Sequence, residues 1–188
     1  MASQERITEA YQTARRISYN DESKFIVFSD VHRGDNSFAD DFANNRNIYH
    51  HALNHYFKNG FTYCELGDGD ELWENLDFKS IFYTHTNIYF LLKKFYDEDR
   101  LYRLIGNHDM VYQKQKYVEK HLYTYFDKVT GKDQPLFPGI TFTEGLILEH
   151  ETSKQEIFML HGHQADWWNY RAWKFNRFMV RALWRQLQ

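Results

Sequence analysis

The chain has 188 residues, of which 43% are hydrophobic, and its formal net charge is −3. This length suits one domain spanning residues 1–188, with a well-buried core. The small net charge excludes a general attraction to nucleic acid or to anionic membranes, so either partner would need a local patch. The single cysteine, Cys64, excludes an internal disulfide and favours a reducing compartment. Since no run is apolar enough for a signal peptide or a membrane span, we expect a cytoplasmic protein without a transmembrane segment.

The first half of the chain alternates strand and helix patterns. Residues 1–22 are interpreted as an N-terminal helical extension. Three short β-prone runs follow, at 24–29, 61–66 and 101–106, and stretches with helical spacing separate them. The expected helical stripes are Ile48, Ala52, Leu53 and Tyr56; Ile81, Ile88, Leu92 and Phe95; and Val111, Val118, Leu122 and Tyr125. This alternation predicts an α/β fold with a parallel sheet.

The second half begins with a predicted loop between Gly131 and Gly139, which holds both prolines of the chain. Two strand-like runs around residues 151–155 then predict a hairpin. Residues 166–188 predict a helix with a basic and an aromatic face. We favour a helix packed on the domain by its aromatic side chains, with its arginines in solvent. The alternative is a helix that docks on lipid headgroups or covers a lipid-linked substrate.

Acids and histidines follow the predicted strands. Asp30 and His32 follow the first strand and Asp68 follows the second. "GNHD", with Asn107, follows the third strand, and "HGH", with His161 and His163, follows a later one. Ligands of open α/β sheets bind beyond the carboxyl ends of the strands. Because carboxylate, imidazole and amide groups bind divalent manganese, iron and zinc, the four strand ends together predict a metal site.

The motifs "DVH", "GDGDE", "GNHD" and "HGH" resemble, in this order, the calcineurin-like metallophosphoesterase superfamily. The run "LGDGDELWE" is similar to the bacterial branch that contains UDP-diacylglucosamine hydrolases. The resemblance implies a β-sandwich flanked by helices, in αββα layers. It also implies that Asp30 and His32 hold one metal, that Asn107 and His161 hold a second, and that Asp68 bridges the pair. His108 would protonate the leaving group, and Asp109 would orient the His108 ring.

The implied function is a dinuclear metal-dependent phosphoester hydrolase, either a phosphomonoesterase or a phosphodiesterase. A metal-bridging hydroxide would attack the phosphorus in line, and His108 would act as general acid. The cofactors would be two divalent ions, with manganese favoured and iron or zinc as alternatives. We expect a phosphoester substrate, lipid- or nucleotide-linked, with peripheral membrane contact as an open alternative and no nucleic-acid binding.

The chain departs from the superfamily in lacking a closing Gly-His-x-His pair. The sequence therefore suggests a relative that is truncated at its C-terminus and lacks the last strands. A non-catalytic binding scaffold or an inactive fragment is the alternative function. A nucleic-acid-cutting phosphodiesterase is a third reading, and it would require a basic groove.

Several polar residues near these motifs have more than one interpretation. Arg33 either contacts a substrate phosphate or is a solvated loop residue. Glu71 supports the Asp68 loop together with Asp70, with direct metal ligation as the lesser alternative, and His163 contacts substrate or supports a ligand. The helix-spaced pair His51 and His55 is expected on an exposed face, whereas His85 and Cys64 are expected to pack inside.

Overall fold

The computed structural model describes residues 3–37, 40–75, 77–165 and 172–182, and it shows a mixed α/β fold. The helices are α1 (Ser3–Gln12), α2 (Arg46–Lys58), α3 (Phe78–Thr84), α4 (Thr86–Asp97), α5 (Gln115–Leu122) and α6 (Trp173–Ala182). The strands are β1 (Arg15–Tyr19), β2 (Phe25–Phe28), β3 (Thr62–Glu65), β4 (Leu101–Arg103), β5 (Thr124–Asp127), β6 (Lys132–Pro135), β7 (Gly145–His150) and β8 (Glu156–Leu160). Within the described ranges, no helix combines the length and apolar character that crossing a membrane requires.

The central sheet has the order β2-β3-β4, and all of its strand pairs are parallel. This arrangement confirms the three predicted strands and their direction. Helix α2 connects β2 to β3, and helices α3 and α4 connect β3 to β4. Since the three strands run the same way, the loops that follow them meet at one edge of the sheet.

A second sheet has the order β1-β7-β8. The predicted hairpin is confirmed, because β7 and β8 pair antiparallel. The predicted helical extension over residues 1–22 is wrong in its second half, since β1 pairs in parallel with β7. A single bridge between Leu104 and Thr143 connects the end of β4 to the segment before β7.

The predicted helical stripes are confirmed in part. All four members of the second stripe are buried, although the helix divides at His85 into α3 and α4. On α2 Leu53 is buried, but Ile48 is 71% exposed and its neighbour Tyr49 takes the inward position. Tyr49 faces inward because its hydroxyl forms a buried hydrogen bond with the Tyr63 hydroxyl, at 2.5 Å. His51 and His55 are exposed as expected.

Three predictions for the second half need correction or restriction. The third predicted helix ends at Leu122, and Tyr125 lies in β5. The predicted loop between Gly131 and Gly139 contains strand β6, which pairs antiparallel with β5. The predicted C-terminal helix exists as α6, and residues 166–171 and 183–188 lie outside the described residues. On α6 Arg177 is half-buried and burial lowers its pKa, so this arginine is not fully in solvent.

Strand β3 separates two hydrophobic clusters because its side chains alternate between faces. Tyr63 joins the large cluster under the helices, which includes Leu53, Ile88 and Phe95. Cys64 joins a smaller cluster with Leu146 and Leu148 of β7, which confirms the prediction that it packs inside. Burial of each large apolar side chain stabilises the fold by about 1.5–3 kcal/mol, so both faces hold β3 firmly.

Candidate metal centre

Three of the predicted metal ligands lie in left-handed backbone at the ends of β2 and β3. The φ angles are 54° at Asp30, 51° at His32 and 52° at Asp68. This conformation is unfavourable for non-glycine residues by about 1–2 kcal/mol each. Such strain persists where the surroundings fix the backbone, and it is concentrated at functional sites.

Hydrogen bonds between the two loops hold this strained backbone in place. The N–H of Asp30 donates to the carbonyl of Gly67 at 3.2 Å, and the N–H of His32 donates to the carbonyl of Asp68 at 2.9 Å. The pairing of β2 with β3 therefore continues past the strand ends. The ligand side chains are carried by a two-stranded extension of the sheet, so they sit on rigid backbone.

Gly106 brings the loop after β4 against Asp68. A Cβ atom on Gly106 would lie 2.1 Å from Asp68 Oδ1 and 2.3 Å from the Asp68 nitrogen. Only glycine fits this approach. The contact lets the N–H of His108 donate to Asp68 Oδ1 at 2.8 Å. The glycine of "GNHD" thus has a packing function, which is to place Asn107 and His108 beside the Asp68 carboxylate.

The other four predicted ligands lie around Asp68. His32 Nε2 lies 3.7 Å from Asp68 Oδ2 and 3.9 Å from Asp30 Oδ1. His161 Nε2 lies 3.3 Å from the same Asp68 oxygen and 3.1 Å from Asn107 Oδ1. We call Asp30, His32, Asp68, Asn107 and His161 the ligand cluster.

The donor set of the ligand cluster fits a pair of divalent cations. Metal–ligand bonds of about 2.0–2.2 Å place neighbouring ligand atoms roughly 3–4 Å apart, which matches the observed separations. Two triads, Asp30–Asp68–His161 and His32–Asp68–His108, each have their ligand atoms within 4.8 Å of one another. Among the described residues, Asp68 is the one that belongs to both triads. Its carboxylate is buried, whereas the Asp30 side chain is 60% exposed.

Glu71 orients two histidines of the centre. Its Oε2 lies 2.8 Å from Nδ1 of His32 and 2.6 Å from Nδ1 of His108. Its Oε1 accepts the backbone N–H groups of Trp73 and Glu74. Burial alone would raise the Glu71 pKa, but the two histidine hydrogen bonds outweigh it and lower the pKa to about 2. Glu71 is therefore a carboxylate that fixes both rings and the backbone at Trp73 and Glu74.

The expected role of Asp109 is corrected by this arrangement. Its carboxylate accepts the backbone N–H of Gly69 at 3.0 Å and of Gly106 at 2.7 Å, so it ties two loops together. The His108 ring is instead held between Glu71 and the indole of Trp73, which stacks on it at 4.1 Å and 15°. Burial, followed by the charge of Asp68, raises the Asp109 pKa to about 7. The sequence motif located the acid but not the direction of its side chain.

Both expectations for Arg33 are wrong, because its side chain is fully buried in an ion network. Arg33 donates to Glu65 at 2.7 and 2.8 Å and to Asp70 at 2.8 Å. Arg103 donates to the same two carboxylates at 2.5 and 2.8 Å. We call these four residues the buried ion network. Glu65 and Arg103 were not singled out from the sequence. Each is a charged residue at an inward position of a strand, and that position was the available signal of a buried ion pair.

His163 lies behind His161 rather than in an open substrate position. It is 5% exposed, and its ring centroid is 5.4 Å from that of His161. Burial, followed by the charge of His161, lowers the His163 pKa to about 4. His163 is therefore a neutral packed ring. Of its two expected roles, contact with substrate and support of a ligand, its buried position allows only the second. His85, also expected inside, is buried with Nε2 3.0 Å from Asp40 Oδ2.

The electrostatics of the ligand cluster favour cations. Burial would lower the His32 pKa, but the hydrogen bond to Glu71 and the charges of Asp68, Glu71 and Asp30 raise it to about 9. His161 also has a raised pKa, because Asp68 outweighs burial. Positive charge is thus stabilised on both histidines that lie next to Asp68.

Comparison of the chain with family models, with curated proteins and with solved structures finds no match.

Proposed function

We propose that this protein is a dinuclear metal-dependent phosphoester hydrolase of the calcineurin-like metallophosphoesterase type. One observation supports this proposal most strongly. Ligands from four strand ends converge on one buried carboxylate, Asp68, next to His108 with its ring fixed on both sides. A loop acid beside a histidine is common, but strained backbone at three ligands and a glycine that admits no Cβ are the features of a built site.

Each side chain of the centre has a proposed role. Asp30 and His32 would hold one ion, Asn107 and His161 the other, and Asp68 both. When bound, a pair of divalent cations would polarise the phosphoryl group and supply an activated water at neutral pH. Manganese, iron and zinc all suit this donor set. Glu71 supports the metal-binding tautomer of His32, because an Nδ1–H donated to Glu71 leaves Nε2 with its lone pair.

His108 is the proposed general acid. Its Nδ1 is engaged by Glu71, so Nε2 is the nitrogen that can exchange a proton with a leaving group. Trp73 covers one face of the ring and Glu71 restrains its edge, which limits rotation. A proton donor held in this way contributes about 10²–10⁴-fold to rate when the leaving group needs protonation.

The layered architecture of the superfamily is proposed on the same basis. The small hydrophobic cluster contains Cys64 and Leu104 from the central sheet region together with Leu146 and Leu148 from β7. The large cluster covers the opposite face of β3 with helices. Two sheets that share one apolar cluster, with helices outside, support the proposed β-sandwich flanked by helices.

The test is hydrolysis of phenyl phosphate and p-nitrophenyl phosphate with added Mn²⁺, for the wild type, Asp68→Ala and His108→Ala. Asp68→Ala should abolish turnover of both esters. His108→Ala should slow phenyl phosphate far more than p-nitrophenyl phosphate, because p-nitrophenolate departs readily without a proton. His55→Ala, on the exposed face of α2, is the matched histidine control and should leave both rates unchanged.

Two results would contradict the proposal. Equal turnover by wild type and Asp68→Ala would show that the activity comes from elsewhere. Binding of Mn²⁺ without hydrolysis of any ester would favour the non-catalytic scaffold.

A further inference from the structure

An open cavity of about 270 Å³ borders the ligand cluster on the side of Asp30. Its lining residues are Phe28, Ser29, Asp30, Val31, Phe42, Asn45, Ile48, Tyr49 and Ala52. Six of these nine side chains are apolar or aromatic, and the wall nearest the centre is the ligand Asp30 itself. We call this cavity the Asp30 groove. An apolar cavity of about 150 Å³ is enough to hold a benzene ring, so the Asp30 groove has room for one aromatic group.

The floor of the Asp30 groove is an ordered set of aromatic rings. Tyr49 packs edge-on against Phe28 at 5.1 Å and against Phe42 at 5.2 Å. The rim carries Ile48, which is 71% exposed. A large apolar side chain in solvent next to an aromatic floor is a surface that an apolar group would cover favourably.

His108 is not among the described residues that line the Asp30 groove, and its triad does not contain Asp30. Asp30 shares a triad with Asp68 and His161, whereas His108 shares the other triad, with Asp68 and His32. In an in-line displacement the leaving group departs toward its proton donor, here His108. A group that occupies the Asp30 groove is then attached to the same phosphorus but is not the one that leaves.

We propose that the Asp30 groove binds the non-leaving ester group of a phosphodiester, and that this group is aromatic or similarly flat and apolar. The inference rests on the proposed function and narrows it from phosphoesters in general to diesters. The occupant is assigned from the position of Asp30, which belongs to the ligand cluster and also lines the groove, so the groove opens directly from the metal centre.

The test compares phenyl p-nitrophenyl phosphate with methyl p-nitrophenyl phosphate in the presence of Mn²⁺. The two diesters share a leaving group and differ only in the group assigned to the Asp30 groove. The wild type should prefer the phenyl ester in kcat/KM by about tenfold or more, which is the range an apolar subsite of this kind supplies. Ile48→Ser should bring that preference down toward one.

Ile157→Ser is the matched control. Ile157 is another exposed isoleucine, on β8, and the same substitution there should keep the wild-type preference. Ile48 lies in the first turn of α2 and is largely in solvent, so Ile48→Ser is expected to fold, and its thermal melt checks this.

The outcomes are distinguishable. Equal kcat/KM for the two diesters in the wild type, or an unchanged preference in Ile48→Ser, overturns the assignment while leaving the phosphoesterase proposal intact. A lower oligomeric state of Ile48→Ser in light scattering would instead assign the Asp30 groove to a second copy of the chain and overturn the substrate assignment. Absence of Mn²⁺-dependent turnover on these diesters and on the monoesters overturns the proposed function, and with it this subsite.

Discussion

The ligand cluster and the buried ion network begin at the same strand ends but differ in charge balance and exposure. Neighbours in sequence are divided between them, with His32 in the cluster and Arg33 in the network. The network has two cations and two carboxylates, and its side chains are 0–1% exposed. The cluster has carboxylates, imidazoles and an amide but no fixed cation, and its Asp30 side chain is 60% exposed.

This difference separates acids that are paired with arginines inside the fold from acids that are available to a ligand. In the network each carboxylate meets both arginines, and tyrosine hydroxyls supply further donors. In the cluster the acids have histidines beside them rather than arginines, and burial, followed by the charge of Asp68, raises the pKa of the neighbouring Asp109. A bound cation would supply to the cluster the positive charge that the two arginines supply to the network.

The largest expected effect comes from breaking the buried ion network with Arg33→Met. Glu65 and Asp70 would be left buried with one arginine between them, and loss of one partner of a buried ion pair costs about 3–5 kcal/mol. Urea unfolding measures the loss. Lys93→Met, which breaks the i,i+4 pair with Asp97 on the surface of α4, is the control and should cost about 0.3–0.5 kcal/mol. Similar losses for the two variants would contradict the distinction.

Gly106→Ala should damage the ligand cluster through packing. The new Cβ would overlap Asp68, so either the loop or the carboxylate must move, at a cost of about 1–3 kcal/mol. We expect Mn²⁺ affinity, measured by calorimetry, to fall at least about tenfold, as it does when supporting contacts of metal ligands are lost. Gly60→Ala is the control, because a Cβ there meets open space; its left-handed backbone lowers stability but should not change metal affinity.

Tyr89→Phe tests how much the tyrosine hydroxyls contribute to the buried ion network. The Tyr89 hydroxyl donates to Asp70 Oδ1 at 2.5 Å, and its removal leaves a buried carboxylate one donor short, which costs about 1–3 kcal/mol. Tyr83→Phe removes an exposed hydroxyl that donates to the carbonyl of Phe126, and water can replace that bond. In chemical denaturation Tyr89→Phe should lose clearly more unfolding free energy than Tyr83→Phe, and the reverse order would show that the Tyr89 hydroxyl contributes little to the network.

The smallest effect is a pH dependence at Asp40. Burial would raise the Asp40 pKa, but the hydrogen bond from His85 and the N–H groups of Asn36 and Gly34 lower it overall. A carboxyl with a depressed folded-state pKa stabilises the fold fully above its unfolded pKa of about 4, and this contribution is lost as pH falls through the folded value. The difference in unfolding free energy between wild type and Asp40→Asn should therefore shrink below about pH 4. A difference that stays constant with pH would disprove the linkage.

The convergence of the ligand cluster could be predicted from sequence because parallel strands deliver their following residues to one edge. Asp30, His32, Asp68 and Asn107 lie where that rule places them. His161 reaches the same place from β8, an antiparallel strand of the second sheet. The orienting carboxylate could not be predicted in the same way. Choosing Glu71 over Asp109 requires side-chain directions in irregular loops, and those depend on backbone angles that no periodicity reports.

The interior polar contacts were equally hidden in the sequence. A lone Glu65 or Arg103 in a β-prone run does not reveal its partner, and Arg33 looked like a loop residue. The rotation of α2 followed from the Tyr49 hydroxyl rather than from the count of apolar residues, so Ile48 was placed on the wrong face. Strand β1 was missed because its pairing partner, β7, lies far along the chain.

The most direct test of the central claim is calorimetric titration of Mn²⁺ into the wild type, Asp68→Asn and Asp70→Asn. The two substitutions are identical and stand two positions apart, one in the ligand cluster and one in the buried ion network. Asp77→Asn, which keeps an N-cap for α3, controls for the substitution itself. We predict that the wild type binds a pair of ions, that Asp68→Asn loses both, and that Asp70→Asn, measured below its lowered melting temperature, keeps them. Wild-type affinity in Asp68→Asn, or no binding by the wild type, would contradict the account.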